Sequence, residues 1–130
     1  MSRSRYAISQ EYIIAVNDNK MLAHRVYDAF NRRNLDALDT LLAGDMVDHT
    51  AGPEQAPGRE GIKAVWSYLF ATYPNITATV EDLLADGDWV AARVTFRGLS
   101  ATRPRTGMAL EFTRVAEGRV VELWNCIRWD

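Results

Sequence analysis

With 130 residues and 48% hydrophobic content, the chain is long enough to bury one substantial core and too short for two domains. Fifteen basic against seventeen acidic residues leave a formal net charge of −2, which removes the electrostatic case for nucleic acid or an anionic membrane surface as partner. A single cysteine, Cys126, and only two histidines, His24 and His49, argue against an intrachain disulfide and a thiolate zinc site, and no stretch approaches the roughly 20 apolar residues of a membrane span.

The start, Met1-Ser-Arg-Ser-Arg5, is basic but leads into Tyr6-Ala-Ile-Ser-Gln10, not into the unbroken apolar run of a signal peptide. A reducing, cytoplasmic setting is the expectation. Tyr12-Ile-Ile-Ala-Val16 fits a short strand, a helical turn or a segment packed on a partner, so residues 1–17 are set apart as an extension before a domain spanning 18–130. From Asp18 onward, Leu22, Val26 and Phe30, with Ala23 and Ala29 beside them, recur at helical period behind a cap at Asn17 or Asp18. Asn34 can cap a second, shorter helix carrying Leu35, Leu38 and Leu42, with Gly44 closing it, and Met46-Val47 reads as a short strand.

Thr50 to Gly58 holds two Pro and two Gly in nine residues and must be a loop, of the kind that often borders a site mouth. A third helix follows, with Ile62, Val65, Trp66, Leu69 and Phe70 on one face, and it stops at Tyr73 because Pro74 disfavours helix at the residue before it. Beyond Pro74 the period changes to two. Ile76 to Leu84, an Asp86-Gly87 turn and Trp89 to Arg97 read as an antiparallel hairpin. A polar break that includes Arg103-Pro104-Arg105 precedes Met108 to Val115, and a Glu117-Gly118 turn leads into Val120 to Trp129. Helices first and strands after them predict an α+β domain, with three N-terminal helices packed on one side of a curved antiparallel sheet.

The last hairpin carries the chemistry. Alternation places Glu111 on one face with Ala109 and Thr113, and Asn125 on one face with Leu123 and Ile127, so both can project from the sheet into one pocket. A carboxyl in an apolar cavity has its charged form disfavoured and can take and return a proton near neutral pH, whereas a Glu111 paired with Arg93 or Arg114 could not. Nucleophile-elbow and phosphate-loop patterns are absent.

Asp45-Met-Val-Asp-His49, Pro57-Gly-Arg-Glu-Gly-Ile62, Tyr73-Pro74, Val80 to Asp88 and Arg114 to Trp124 together make residues 18 to 129 resemble the SnoaL-like polyketide cyclases of the NTF2-like superfamily. The resemblance implies a cone-shaped α+β barrel around one apolar cavity, usually in a homodimer, that binds a small apolar oxygenated molecule and needs no cofactor. It also implies ring closure by intramolecular aldol condensation, with an Asp after the last strand's Trp as acid and base. Here that position is Asn125, and an amide cannot accept a substrate proton. Glu111 matches a second cavity position and keeps its carboxyl, and Gly98-Leu-Ser100 replaces the Gly-Thr-His often found after the second long strand.

The expected catalytic set is therefore Glu111 as proton carrier, with Asn125 and His49 orienting a carbonyl, Asn125 in the manner of an oxyanion hole. His49 also admits a purely structural reading at a strand end. Tyr27, Trp66, Phe70, Trp89 and Leu123 are the expected cavity lining, and Cys126 falls on the opposite sheet face. Asp45, Asp48 and His49 lack the further ligands a metal site needs, so none is expected. The alternatives to a cyclase-type enzyme are a non-catalytic dimeric binding protein and an isomerase or epoxide hydrolase-like enzyme using the same cavity.

Overall fold

The computed structural model describes residues 8–102 and 104–130; Met1 to Ala7 of the expected extension and Arg103 of the polar break lie outside them. The first helix, α1, runs Gln10–Asn31, with the Ser9 side chain accepting a hydrogen bond from the Tyr12 amide at 3.1 Å. It thus begins well before Asp18, and the boundary expected at 17/18 falls inside it. Its early turns are held from a distance. The Tyr12 hydroxyl donates to the Asp86 carboxylate and accepts from the Gly87 amide, while Asn19 Nδ2 donates to the Gly87 carbonyl at 3.0 Å.

The second helix, α2, is the single turn Leu38–Leu41, preceded by Asn34, whose Oδ1 accepts from the Ala37 amide at 3.2 Å. Leu42 is already extended, and Gly44 lies within strand β1, Leu42–Asp48, instead of closing a helix. The reason is the neighbour. Leu42 pairs with Val120, so its backbone is committed to the sheet. Helix α3, Gly58–Thr72, is tied to this region by Arg59, whose Nη1 donates to the carbonyls of Asp39 and Leu42 at 3.1 Å each.

The strands β2 (Thr77–Asp86), β3 (Trp89–Arg97), β4 (Gly107–Ala116) and β5 (Arg119–Trp129) form an antiparallel meander, and β1 adds to β5 in parallel. The result is a five-stranded mixed sheet in the order β1-β5-β4-β3-β2, within the expected α+β class. The core lies between the helices and the sheet's inner face. One cluster gathers Leu22, Leu38, Met46, Ile62, Val90 and Val120, and a second gathers Phe30, Ile76, Ala78, Val94 and Ala109, with Trp66 and Leu83 packed against both.

Val120 and Leu123 both reach this core although they are three residues apart, which a regular strand forbids. A bulge reconciles them. Val115 opposes Val120 but Arg114 opposes Glu122, so Val121 has no cross-strand partner and the facing parity of β5 changes there. On the outer face, Trp89 stacks on Phe112 with ring centroids 4.8 Å apart, and His49 stacks on Trp124 at 4.1 Å. Leu84, Met108, Leu110 and Phe112 are exposed there. Among the described residues no helix is long and apolar enough to cross a membrane.

Candidate functional site

Downstream of the bulge, Glu111 on β4 stands directly between Ala92 on β3 and Asn125 on β5, all on the inner face. The small Ala92 leaves room above the sheet, and α1 crosses this space. Tyr27 on that helix donates its hydroxyl to Glu111 Oε1 at 2.9 Å, and the Asn125 amide hydrogen-bonds the same carboxyl. Burial pushes the Glu111 carboxyl up from its ordinary value; the Tyr27 and Asn125 bonds pull it down, and the nearby Asp48 charge adds to the rise. Burial also pushes the Tyr27 phenol up, with the Glu111 charge behind it, so this hydroxyl stays protonated and serves as a donor.

Asn125 is fixed from its other side. Its Oδ1 accepts from Thr50 Oγ1 at 3.0 Å and its backbone amide donates to the same hydroxyl at 2.9 Å. Thr50 Oγ1 also lies 3.1 Å from Asp48 Oδ1, and with one proton it can satisfy only one of these two acceptors at a time. Asp48 is further held by the Thr50 amide at 3.0 Å and by Gln55 Nε2, which donates to Oδ2 at 3.0 Å. A continuous polar line therefore runs from Tyr27 through Glu111, Asn125, Thr50 and Asp48 to Gln55 in the Gly/Pro loop.

These groups form the polar end of a cavity of about 270 Å³. Its walls are apolar, from Val26 and Phe30 on α1, Ile62, Trp66 and Leu69 on α3, and Val90, Phe96, Leu123 and Ile127 on the sheet. Of the residues singled out in the sequence, Glu111, Asn125, Tyr27, Trp66 and Leu123 line it.

His49, Phe70 and Trp89 do not. Asp48 pairs with Leu123 and faces inward, so His49, one residue on, falls on the outer face, where it stacks on Trp124 and its Nε2 meets Glu122 Oε1 at 3.1 Å. The carbonyl-orienting role read for His49 is corrected by this parity. Trp89 lies outside for the same reason, one position from inward Val90, and Phe70 is spent in the core against Phe30 at 5.0 Å.

Sequence reasoning missed Asp48, Thr50 and Gln55. For Asp48 the signal was present, since it stands two residues after the buried Met46 and shares its face. Thr50 and Gln55 lie in irregular chain, where no periodicity points a side chain. Among the described residues no group of His, Cys, Asp and Glu could hold a metal ion. What the site offers is a half-buried, cavity-facing carboxyl beside a phenol and an amide, an arrangement able to accept a proton and to steady a polar ligand atom.

The SnoaL-like domain family matches residues 23–123 of the chain. None of the curated proteins matches it. Among solved structures, wild-type IdmH from Streptomyces antibioticus, described as a candidate polyketide cyclase, is 34% identical, with 84% of this chain and 91% of that one covered and a TM-score of 0.75. A loop-truncation variant of IdmH is 37% identical over the same shares, with a TM-score of 0.76. A candidate polyketide cyclase from Bacillus cereus ATCC 10987 is 26% identical, with 92% of this chain and 78% of that one covered, and superposes with a TM-score of 0.83. By sequence over most of its length and by its NTF2-like α+β fold, the chain belongs to the SnoaL-like domain family.

Proposed function

We propose that the protein is a polyketide cyclase-type enzyme that abstracts a proton alpha to a carbonyl of a small apolar oxygenated substrate, without a cofactor. The observation that carries this reading is the position of Glu111: half-buried, facing the cavity, and beside the Asn125 amide. Glu111 takes the proton from carbon, and the enolate oxygen is held by the Asn125 amide hydrogen not used on Glu111. The enolate carbon then bonds to a second carbonyl of the same molecule. That bond closes the ring as the second carbonyl's π pair moves to its oxygen, and the alkoxide so formed recovers the proton from Glu111, which regenerates the carboxylate.

The test is exchange in deuterated water at the carbon alpha to the carbonyl, on a panel of enolisable ketones and polyketide methyl esters, read by mass spectrometry. Wild-type protein is expected to exchange deuterium in, and Glu111→Gln to lose this by about a hundredfold or more, the usual scale for a positioned general base. A second reading, a binding protein without chemistry, is favoured by the amide at Asn125 where the family's acid-base Asp stands. Ligand binding by thermal shift with no exchange above the water rate would sink the enzymatic reading and leave this one.

The same proposal includes a homodimer formed through the outer sheet face. Support comes from Leu84 at 69%, Leu110 at 54% and Phe112 at 43% exposure on one surface, more apolar side chain than a lone sheet face usually leaves in water. A cytoplasmic setting suits the lone, exposed Cys126.

A further inference from the structure

The polar end of the cavity is one-sided in charge. Asp48 and Glu111 both line it, and among the described residues no Lys, Arg or His does. Four cations of the surrounding elements are paired away from it: Arg114 and His49 to Glu122 on the outer face, and Arg59 and Lys63 of α3 to Asp39 on α2. Most of the neutral donors are directed at Asp48 and Glu111, which leaves the second Asn125 amide hydrogen and the Thr113 hydroxyl as the donors still free at the cavity wall. Tyr27 and Asn125 direct hydrogens at Glu111, and Gln55 and the Thr50 amide direct theirs at Asp48.

A carboxylate has about four acceptor sites, so lone pairs remain on both groups after these bonds. What the cavity can still offer an incoming polar group is mainly acceptors. A ligand carboxylate would meet two like charges with no cation and would lose its water, whereas a ligand donor finds ready partners.

We infer that the cavity selects an apolar body of bicyclic size whose polar end is a hydrogen-bond donor, a hydroxyl or a protonated amine, and rejects carboxylates, with Asp48 and Glu111 as the selecting residues. This deepens the proposed function and rests on it only in taking the cavity as the ligand site. Asp48 has no part in the proton transfer above. The selection needs no turnover, so the two readings fail separately.

The experiment is calorimetric titration at pH 7.5 of wild-type, Asp48→Asn and Glu111→Gln protein with four probes of one shape: 2-naphthylmethanol, its methyl ether, 2-naphthylmethylamine and 2-naphthoate. Wild-type protein is expected to bind the alcohol and the amine about tenfold more tightly than the ether, the scale of one hydrogen bond to a charged acceptor, and to show no saturable binding of naphthoate. Asp48→Asn is expected to erase the amine's advantage over the ether. Naphthoate binding within about threefold of the alcohol, an amine preference unchanged in both variants, or failure of all four probes to bind would each overturn the inference. If Asp48→Asn does not fold, the wild-type order of the four probes and the Glu111→Gln series decide. Selective binding without deuterium exchange would remove the chemistry and leave the selectivity; exchange with naphthoate bound would do the reverse.

Discussion

Glu111 is a liability to the fold as well as an asset to the site. Its carboxyl is raised in the folded protein, so between its ordinary value and the raised one the folded state holds more protons than the unfolded chain, and stability falls as pH climbs through that window. Glutamine keeps the shape and carries no charge to desolvate. Glu111→Gln is therefore expected to be more stable than wild type at pH 8, with the excess shrinking as pH falls and vanishing near pH 4. Urea unfolding at the two pH values checks this, and a gap independent of pH would contradict it. The pairing of Glu111 with Asn125 was legible in the sequence because both sit on regular strands, where alternation assigns a face. His49 was misread by one position. Alternation fixes which residues share a face but not which face is the inner one, and for β1 that came from the buried Met46 and the pairing of Asp48 with Leu123.

At the scale of elements, the third helix and the four meander strands could be read from periodicity, because each buries one face against the same core. The elements whose ends were misplaced are those held by distant partners. No local pattern in residues 10–17 announces that Tyr12 will reach Asp86 and Gly87, nor does anything around Leu42 announce Val120. Two turns make a contrast that separates backbone conformation from crowding. Gly98 has a φ of 79°, and a Cβ built on it would lie 2.1 Å from the Asn75 carbonyl oxygen, whereas Gly87, at a φ of 55°, has nothing within 4 Å. Gly87→Ala is expected to cost about 1 kcal/mol, from the left-handed backbone alone. Gly98→Ala is expected to cost about 3 kcal/mol or more, since the loop must also move away from residue 75. Denaturant midpoints of the two variants at constant slope measure the difference, and equal shifts would mean the clash relaxes freely.

At the scale of the whole molecule, the architecture divides labour between the two faces of one sheet. The inner face holds the cavity; the outer face holds the aromatic stack of Trp89, Phe112, Trp124 and His49, with Leu110 exposed beside it. If that face pairs two copies, Leu110→Arg should convert a particle of twice 14.7 kDa into one of 14.7 kDa in sedimentation while leaving probe binding in the cavity intact. Wild-type protein sedimenting as a monomer at tens of micromolar would remove the dimer from the proposal. The parallel seam between β1 and β5 was beyond sequence reading, because its partners stand more than 70 residues apart and neither strand carries a mark of the other. The unpartnered Val121 gives the hairpin two alignments, one for the turn and one for the site. Loss of a residue near Glu117 and Gly118 can be absorbed by ironing out the bulge, with Asn125 still opposite Glu111. A perfectly regular ladder would pass the same deletion straight to the cavity, so this irregularity insulates the polar end of the cavity from changes in the length of the turn.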